Sequence, residues 1–172
     1  MSNDQNNECP CTRDCVRHGN HEACKASHHE RGYPTACERI PLDTVLRFLK
    51  DCKTFYVATV EGDQPRVRPF GAALFHMGKI YIGTNNQKPV SRQMKANPRI
   101  EISATAADGR WLRLSATAVP DDNRDDRQAM LDELPEIASM YNADDGLFEV
   151  FYLKDATADI CTFGVENERY KF

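Results

Sequence analysis

The sequence is poor in the features that announce many functions. No apolar run approaches the roughly 20 residues that a membrane-crossing helix needs. It contains no GxGxxG, Walker A, HExxH or GxSxG pattern, so dinucleotide-binding, P-loop, zincin and α/β-hydrolase chemistry has no signature here. Basic residues do not dominate: 22 Lys and Arg stand against 26 Asp and Glu, a net charge of -4, and no basic stripe suggests nucleic acid. The opening MSNDQNNE has no apolar segment of the kind a secretory signal requires, so a cytoplasmic location is expected. Tryptophan occurs once, at Trp111, and beyond residue 40 histidine occurs only at His76.

Cysteine, by contrast, is plentiful and clustered. Residues 9–24, CPCTRDCVRHGNHEAC, hold four of the seven cysteines and two histidines. In a reducing compartment such clusters read as metal-binding or redox-active rather than as a disulfide framework, and an odd count leaves at least one thiol without an intramolecular partner. The candidate ligands are Cys9, Cys11, Cys15, His18, His21, Cys24, His28 and Cys37. Thiolates and imidazoles are the ligands of tetrahedral zinc, and Gly19-Asn20 allows a turn that brings Cys15 toward Cys24. An iron–sulfur cluster drawing on Cys9, Cys11, Cys15 and Cys24, or on Cys37, is the alternative. A metal-free redox tail is the third. Residues 1–40 carry few apolar side chains, so a metal would supply the order that a core cannot. Cys52 and Cys161 are expected as plain buried thiols.

Residues 41–172 form a second block with regular patterning. Pro41 opens an expected helix whose Leu42, Val45, Leu46 and Leu49 recur at helical spacing. Strands are predicted over Phe55–Val60, Arg66–Phe75 and Ile80–Thr84, then a helix from Pro89 that ends at Asn97-Pro98. RIEISAT and RWLRLSATAV make a hairpin. A helix capped by Asp121 or Asp122 and divided by Pro135 follows, and the last strand runs from Phe148 to about Phe163. Short connections imply antiparallel pairing. Six or more such strands with flanking helices favour a small closed or split β-barrel over a doubly wound sheet.

Two stretches bear on chemistry. In YIGTNNQKPVSRQ, a strand hands over to a helix through Thr84, Asn85, Asn86 and Lys88. The helix N-terminus, hydroxyl and amide donors, and the lysine could hold a phosphate, or form a polar loop with a solvated lysine. In PRVRPF, Arg66 and Arg68 share one strand face, while Val67 and Phe70 are expected to point to the core and Pro69 marks an edge or bulge. Trp111 could cover a flat ligand or pack in a core or dimer contact.

These stretches, with FYVATVEGDQPRVRPFGAALF, GKIYIGTNNQKPVSRQMKANPRIEIS and GRWLRLSATAV in that order, resemble the pyridoxamine-phosphate-oxidase-like, FMN-binding split β-barrel family over about residues 42–163. The ending DDGLFEVFYLKDATADI is similar to an anaerobe-type branch. The resemblance implies a homodimer with FMN between subunits. It places Arg66, Val67, Arg68 and Pro69 along the flavin and its ribityl chain, Thr84, Asn85 and Lys88 at the phosphate, Gln93 nearby, and Trp111 on the flanking hairpin. It implies a flavin- or nitroreductase-like FMN-dependent oxidoreductase that passes electrons from a reduced donor to a small organic acceptor. The alternative is a flavin- or haem-binding module without turnover, with a zinc-stabilised leader that docks a partner. The C-terminal TFGVENERYKF lacks the basic pattern of vitamin B6 phosphate oxidases, and His76 is expected at the surface.

Overall fold

The computed structural model describes residues 16, 17, 19–30 and 35–172. Two helices, α1 (His21–His29) and α2 (Ala36–Cys52), lead into β1 (Phe55–Glu61), β2 (Gln64–Phe70), β3 (Ala73–His76) and β4 (Lys79–Asn85). Then come α3 (Pro89–Ala96), β5 (Arg99–Thr105), β6 (Trp111–Asp121), α4 (Arg124–Glu133), α5 (Pro135–Ala138), β7 (Phe148–Cys161) and β8 (Glu168–Lys171). Among the described residues, no helix is long and apolar enough to cross a membrane.

All strands pair antiparallel in one sheet of order β2-β1-β5-β6-β7-β4-β3, with β8 added to β7. β2 and β3 lie at opposite ends of that order, yet only Gly71 and Ala72 separate them in the chain. Three residue steps reach about 11 Å at most. The sheet must therefore curl until its two edges meet, and it closes through the covalent chain rather than through a hydrogen-bonded ladder. Alternation along the strands sends Phe55, Val57, Ile80, Ile82, Ile100, Ile102, Leu112, Leu114 and Phe151 to the inside. α2 plugs this interior with Leu42, Val45, Phe48 and Leu49. A smaller cluster, with Tyr81, Met130, Leu131 and Phe148, lies between the sheet and α4.

Several boundaries depart from the sequence expectation. α2 begins at Ala36 rather than Pro41, because Thr35 and Glu38 form a capping box and Pro41 is carried inside the helix. The expected single strand over residues 66–75 breaks at Gly71-Ala72, where the chain changes sheet edge. Asn123, not Asp121 or Asp122, caps α4, since β6 continues to Asp121 and the Asn123 side chain accepts from Asp125 N. The strand β8 was not expected; four mostly exposed residues anchored by the half-buried Tyr170 give little periodic signal.

Candidate functional site

An open cleft of about 460 Å³ lies where the β1–β2 hairpin meets the start of α3. Glu61, Arg66, Arg68, Lys88, Pro89, Val90 and Gln93 line it. The hairpin turn is two residues long, Gly62-Asp63, and its register sets Glu61 opposite Gln64, Thr59 opposite Arg66 and Val57 opposite Arg68. This puts Glu61, Thr59, Arg66 and Arg68 on one face. Gly62 takes φ 65, a turn conformation that glycine tolerates without strain. α3 starts with Pro89 at its first position and buries Val90 and Met94 against the barrel, which aims its N-terminus and Lys88 at the cleft mouth.

Arg68 forms the floor. Its NH1 donates to Val57 O at 3.0 Å, Thr59 Oγ1 at 2.8 Å and Arg66 O at 3.2 Å, and its NH2 donates to Gln93 Oε1 at 2.7 Å. Thr59 Oγ1 donates to the same Gln93 oxygen at 2.6 Å. Thr59 and Gln93 are both buried, so this network is rigid. Burial, then the nearby Arg66 charge, hold the Arg68 guanidinium below its ordinary pKa, though an arginine remains cationic at neutral pH. Arg66 sits at the rim and donates from Nε at 3.0 Å and NH2 at 2.8 Å to Glu61 Oε2. Hydrogen bonds from Arg66 and then Gln93 keep the Glu61 carboxyl below the usual carboxylate range. Three cations thus face one carboxylate at the N-terminus of a helix, which suits a multiply charged anion.

Of the residues expected at a cofactor site, Arg66, Arg68, Lys88 and Gln93 come together here, and the others do not line the cleft. Val67 is 68% exposed on the opposite face of β2, not in the core, and Pro69 shares that outer face. Phe70 is buried on the Arg66–Arg68 side, since residues 66, 68 and 70 share strand parity. Thr84 is buried opposite Glu149 on β7. The Asn85 amide donates to Tyr141 Oη at 3.3 Å and its oxygen accepts from Gln87 N at 2.7 Å, so it shapes the loop. Trp111 packs against Phe163 in a tilted contact, ring centroids 5.0 Å apart. Glu61 and Thr59 were not anticipated, though the two-residue EGDQ turn carries the register that places them.

His76 ends β3 and lies away from the cleft, with Nε2 3.3 Å from Asp126 Oδ1. Burial and the nearby Asp121 push the Asp126 carboxyl up, and Tyr81 Oη donates to Asp121 at 3.1 Å. Of the candidate metal ligands, Cys9, Cys11, Cys15 and His18 lie outside the described residues. Among the described residues, no three His, Cys, Asp or Glu side chains converge as a metal site. His21 Nε2 and Cys37 Sγ do approach to 3.8 Å across α1 and α2, while His29 is engaged by both Glu38 oxygens at 3.1 Å. Cys161 is buried and Cys52 half-buried, its thiol pushed up first by burial and then by Asp51.

Residues 42–156 match the pyridoxamine 5'-phosphate oxidase family. Among solved structures, a NimC/NimA family protein from Clostridium acetobutylicum is 41% identical at a TM-score of 0.77, over 84% of this chain and 99% of that one. A protein of the same organism, related to general stress protein 26 and described as of the pyridoxinephosphate oxidase family, is 18% identical at a TM-score of 0.60, over 78% and 96% of the two chains. A haem storage protein from Vibrio cholerae is 18% identical at a TM-score of 0.52, over 65% and 87%. The last two share the fold alone. No curated protein matches.

Proposed function

Since the chain belongs to the pyridoxamine 5'-phosphate oxidase-like family of split β-barrels, we propose that it binds FMN in the cleft above Arg68 and serves as an oxidoreductase that passes electrons to a small organic acceptor. The observation that carries this reading is the convergence of Arg66, Arg68 and Lys88 on the N-terminus of α3. The donor set fits a phosphate dianion, and about 460 Å³ of open cleft gives a flat ligand room on one side. Bound FMN would supply the electron transfer itself. Lys88 and the first N–H groups of α3 would hold the phosphate. Arg68, fixed by Thr59, Gln93 and two backbone carbonyls, would keep a positive charge beside the ligand without swinging away. Arg169 lies on β8, outside the residues that line the cleft, which disfavours its use there as a second phosphate clamp of the vitamin B6 type. Haem ligation by His76 is disfavoured by the Asp126 contact and its distance from the cleft.

The test is an absorption spectrum of gently purified protein, before and after reductant and acceptor. A flavin spectrum that bleaches and recovers is expected, and Lys88→Ala should lower FMN retention about tenfold, in line with loss of a charge-assisted contact. A colourless protein that takes up no FMN would end this reading.

A separate observation favours metal in the leader. Two ligands of one tetrahedral zinc, with bonds of about 2.3 Å to sulfur and about 2.0 Å to nitrogen, stand about 3.6 Å apart. His21 and Cys37 lie 3.8 Å apart. We infer that this pair contributes to a zinc site, with iron–sulfur as the alternative outcome. Elemental analysis of anaerobically purified protein should find zinc that falls in a His21→Ala, Cys37→Ser double variant. Protein free of both zinc and iron refutes the metal reading.

A further inference from the structure

We propose that Glu61 is an internal stand-in for the ligand's phosphate: it holds Arg66 in the cleft until a phosphorylated flavin displaces it, and so sets how strongly the site prefers phosphorylated over unphosphorylated ligand. The inference rests on the cofactor reading above and adds a residue to it. Glu61 is the acid among the described residues lining the cleft, set among Arg66, Arg68 and Lys88. Its Oε2 accepts from both Nε and NH2 of Arg66, at 3.0 and 2.8 Å. The Gln93 amide faces the same carboxylate, so the acid joins the network that holds Arg68.

The two arginines differ in how freely they can exchange partners. Arg68 is partly buried with four bonds to the protein. Arg66 and Glu61 are 50% and 49% exposed, and an ion pair so open to water is weak and easily replaced. A phosphate dianion brings more charge and more acceptor oxygens than a carboxylate, so it wins Arg66 in the exchange. The displaced carboxylate stays near, because the two-residue turn fixes its backbone. It then faces the phosphate as a like charge and lowers affinity for any phosphorylated ligand. Riboflavin, which lacks the phosphate, meets neither effect.

The experiment compares FMN and riboflavin binding to wild type and Glu61→Gln by quenching of flavin fluorescence, at low and high salt. The exposed, isosteric change leaves the fold intact, which the thermal midpoint checks. At low salt the variant should bind FMN about two- to fivefold tighter, the range of an exposed charge pair, and riboflavin equally. The gain should shrink at high salt. Unchanged or weaker FMN binding, or an equal gain for riboflavin, overturns the role of Glu61 while leaving the cofactor reading standing. Failure of wild type and variant alike to bind FMN overturns both.

Discussion

Gly83 sits at a close approach between β4 and α4. A Cβ there would lie 2.6 Å from Met130 Sδ and 2.9 Å from Phe148 Cζ, and both neighbours are buried. Met130 can shift, since its side chain is flexible, but the Phe148 ring is also stacked against Tyr141. Gly83→Ala should therefore destabilise the protein by about 1–3 kcal/mol, the usual range for overpacking. Urea unfolding checks this, and an unchanged midpoint would mean that Met130 and Phe148 make room without strain. The position matters for function because β4 ends at Asn85 and delivers Lys88 to the cleft. At the same scale, Arg66 and Arg68 look alike in sequence and differ in kind: one is a movable rim cation, the other a half-buried cation fixed by four hydrogen bonds.

At the scale of elements, α2 depends on its first turn. Pro41 has no N–H, so the Cys37 carbonyl lacks its usual helical partner. The Thr35–Glu38 capping box offsets this: Glu38 Oε2 accepts from Thr35 N at 2.8 Å and from Thr35 Oγ1 at 2.9 Å, and Thr35 Oγ1 accepts from Glu38 N at 3.3 Å. Burial opposes ionisation of Glu38, but the Thr35 bonds and His29 together outweigh it and hold the carboxyl below its ordinary value of about 4.5. A carboxyl whose pKa is depressed on folding stabilises above its unfolded value, and that contribution fades as pH falls through the folded one. The start of α2 should thus lose hydrogen-exchange protection below about pH 4.5, earlier than the barrel strands. Thr35→Ala should cost about 1 kcal/mol but keep part of this acid step, since the backbone N–H of residue 35 and His29 still face the carboxylate. Glu38→Gln, which has no carboxylate to protonate, should abolish it. Persistence of the step in Glu38→Gln would assign it to another group.

For the whole molecule, the outer face of β1–β2 stands out. Tyr56 is 50% and Val67 68% exposed, and the register aligns them with Pro69, Ala58, Val60 and Pro65 on one side of the sheet. An apolar face of this kind is costly to leave in water, and a second copy of the chain is the cover proposed here, consistent with a two-fold, self-complementary contact. Light scattering after size exclusion should give a dimer for wild type and a monomer for Val67→Glu. A wild-type monomer, or a dimer that survives the substitution, would remove this face as the interface. The cleft opens on the inner side of the same hairpin, so a dimer built here would sit one strand's thickness from the ligand.

What the sequence determined by itself is what local chemistry encodes. Alternating apolar residues specify the strands, the two-residue turns specify the antiparallel pairing of β1 with β2 and of β3 with β4, and Lys88-Pro89 marks a helix start beside a basic strand. The TACE pattern carries the capping-box signal for α2, but the expectation built on Pro41 instead sets the helix start five residues late. The tertiary structure alone decided which of those residues meet. Only the curl of the sheet brings its β2 and β3 edges together, only the packing of α3 sets Gln93 against Arg68, and only the path of the chain after α5 brings Tyr141 to Asn85. Such contacts join residues far apart in the chain, and their partners are chosen by packing of the whole barrel, which no short window of sequence contains.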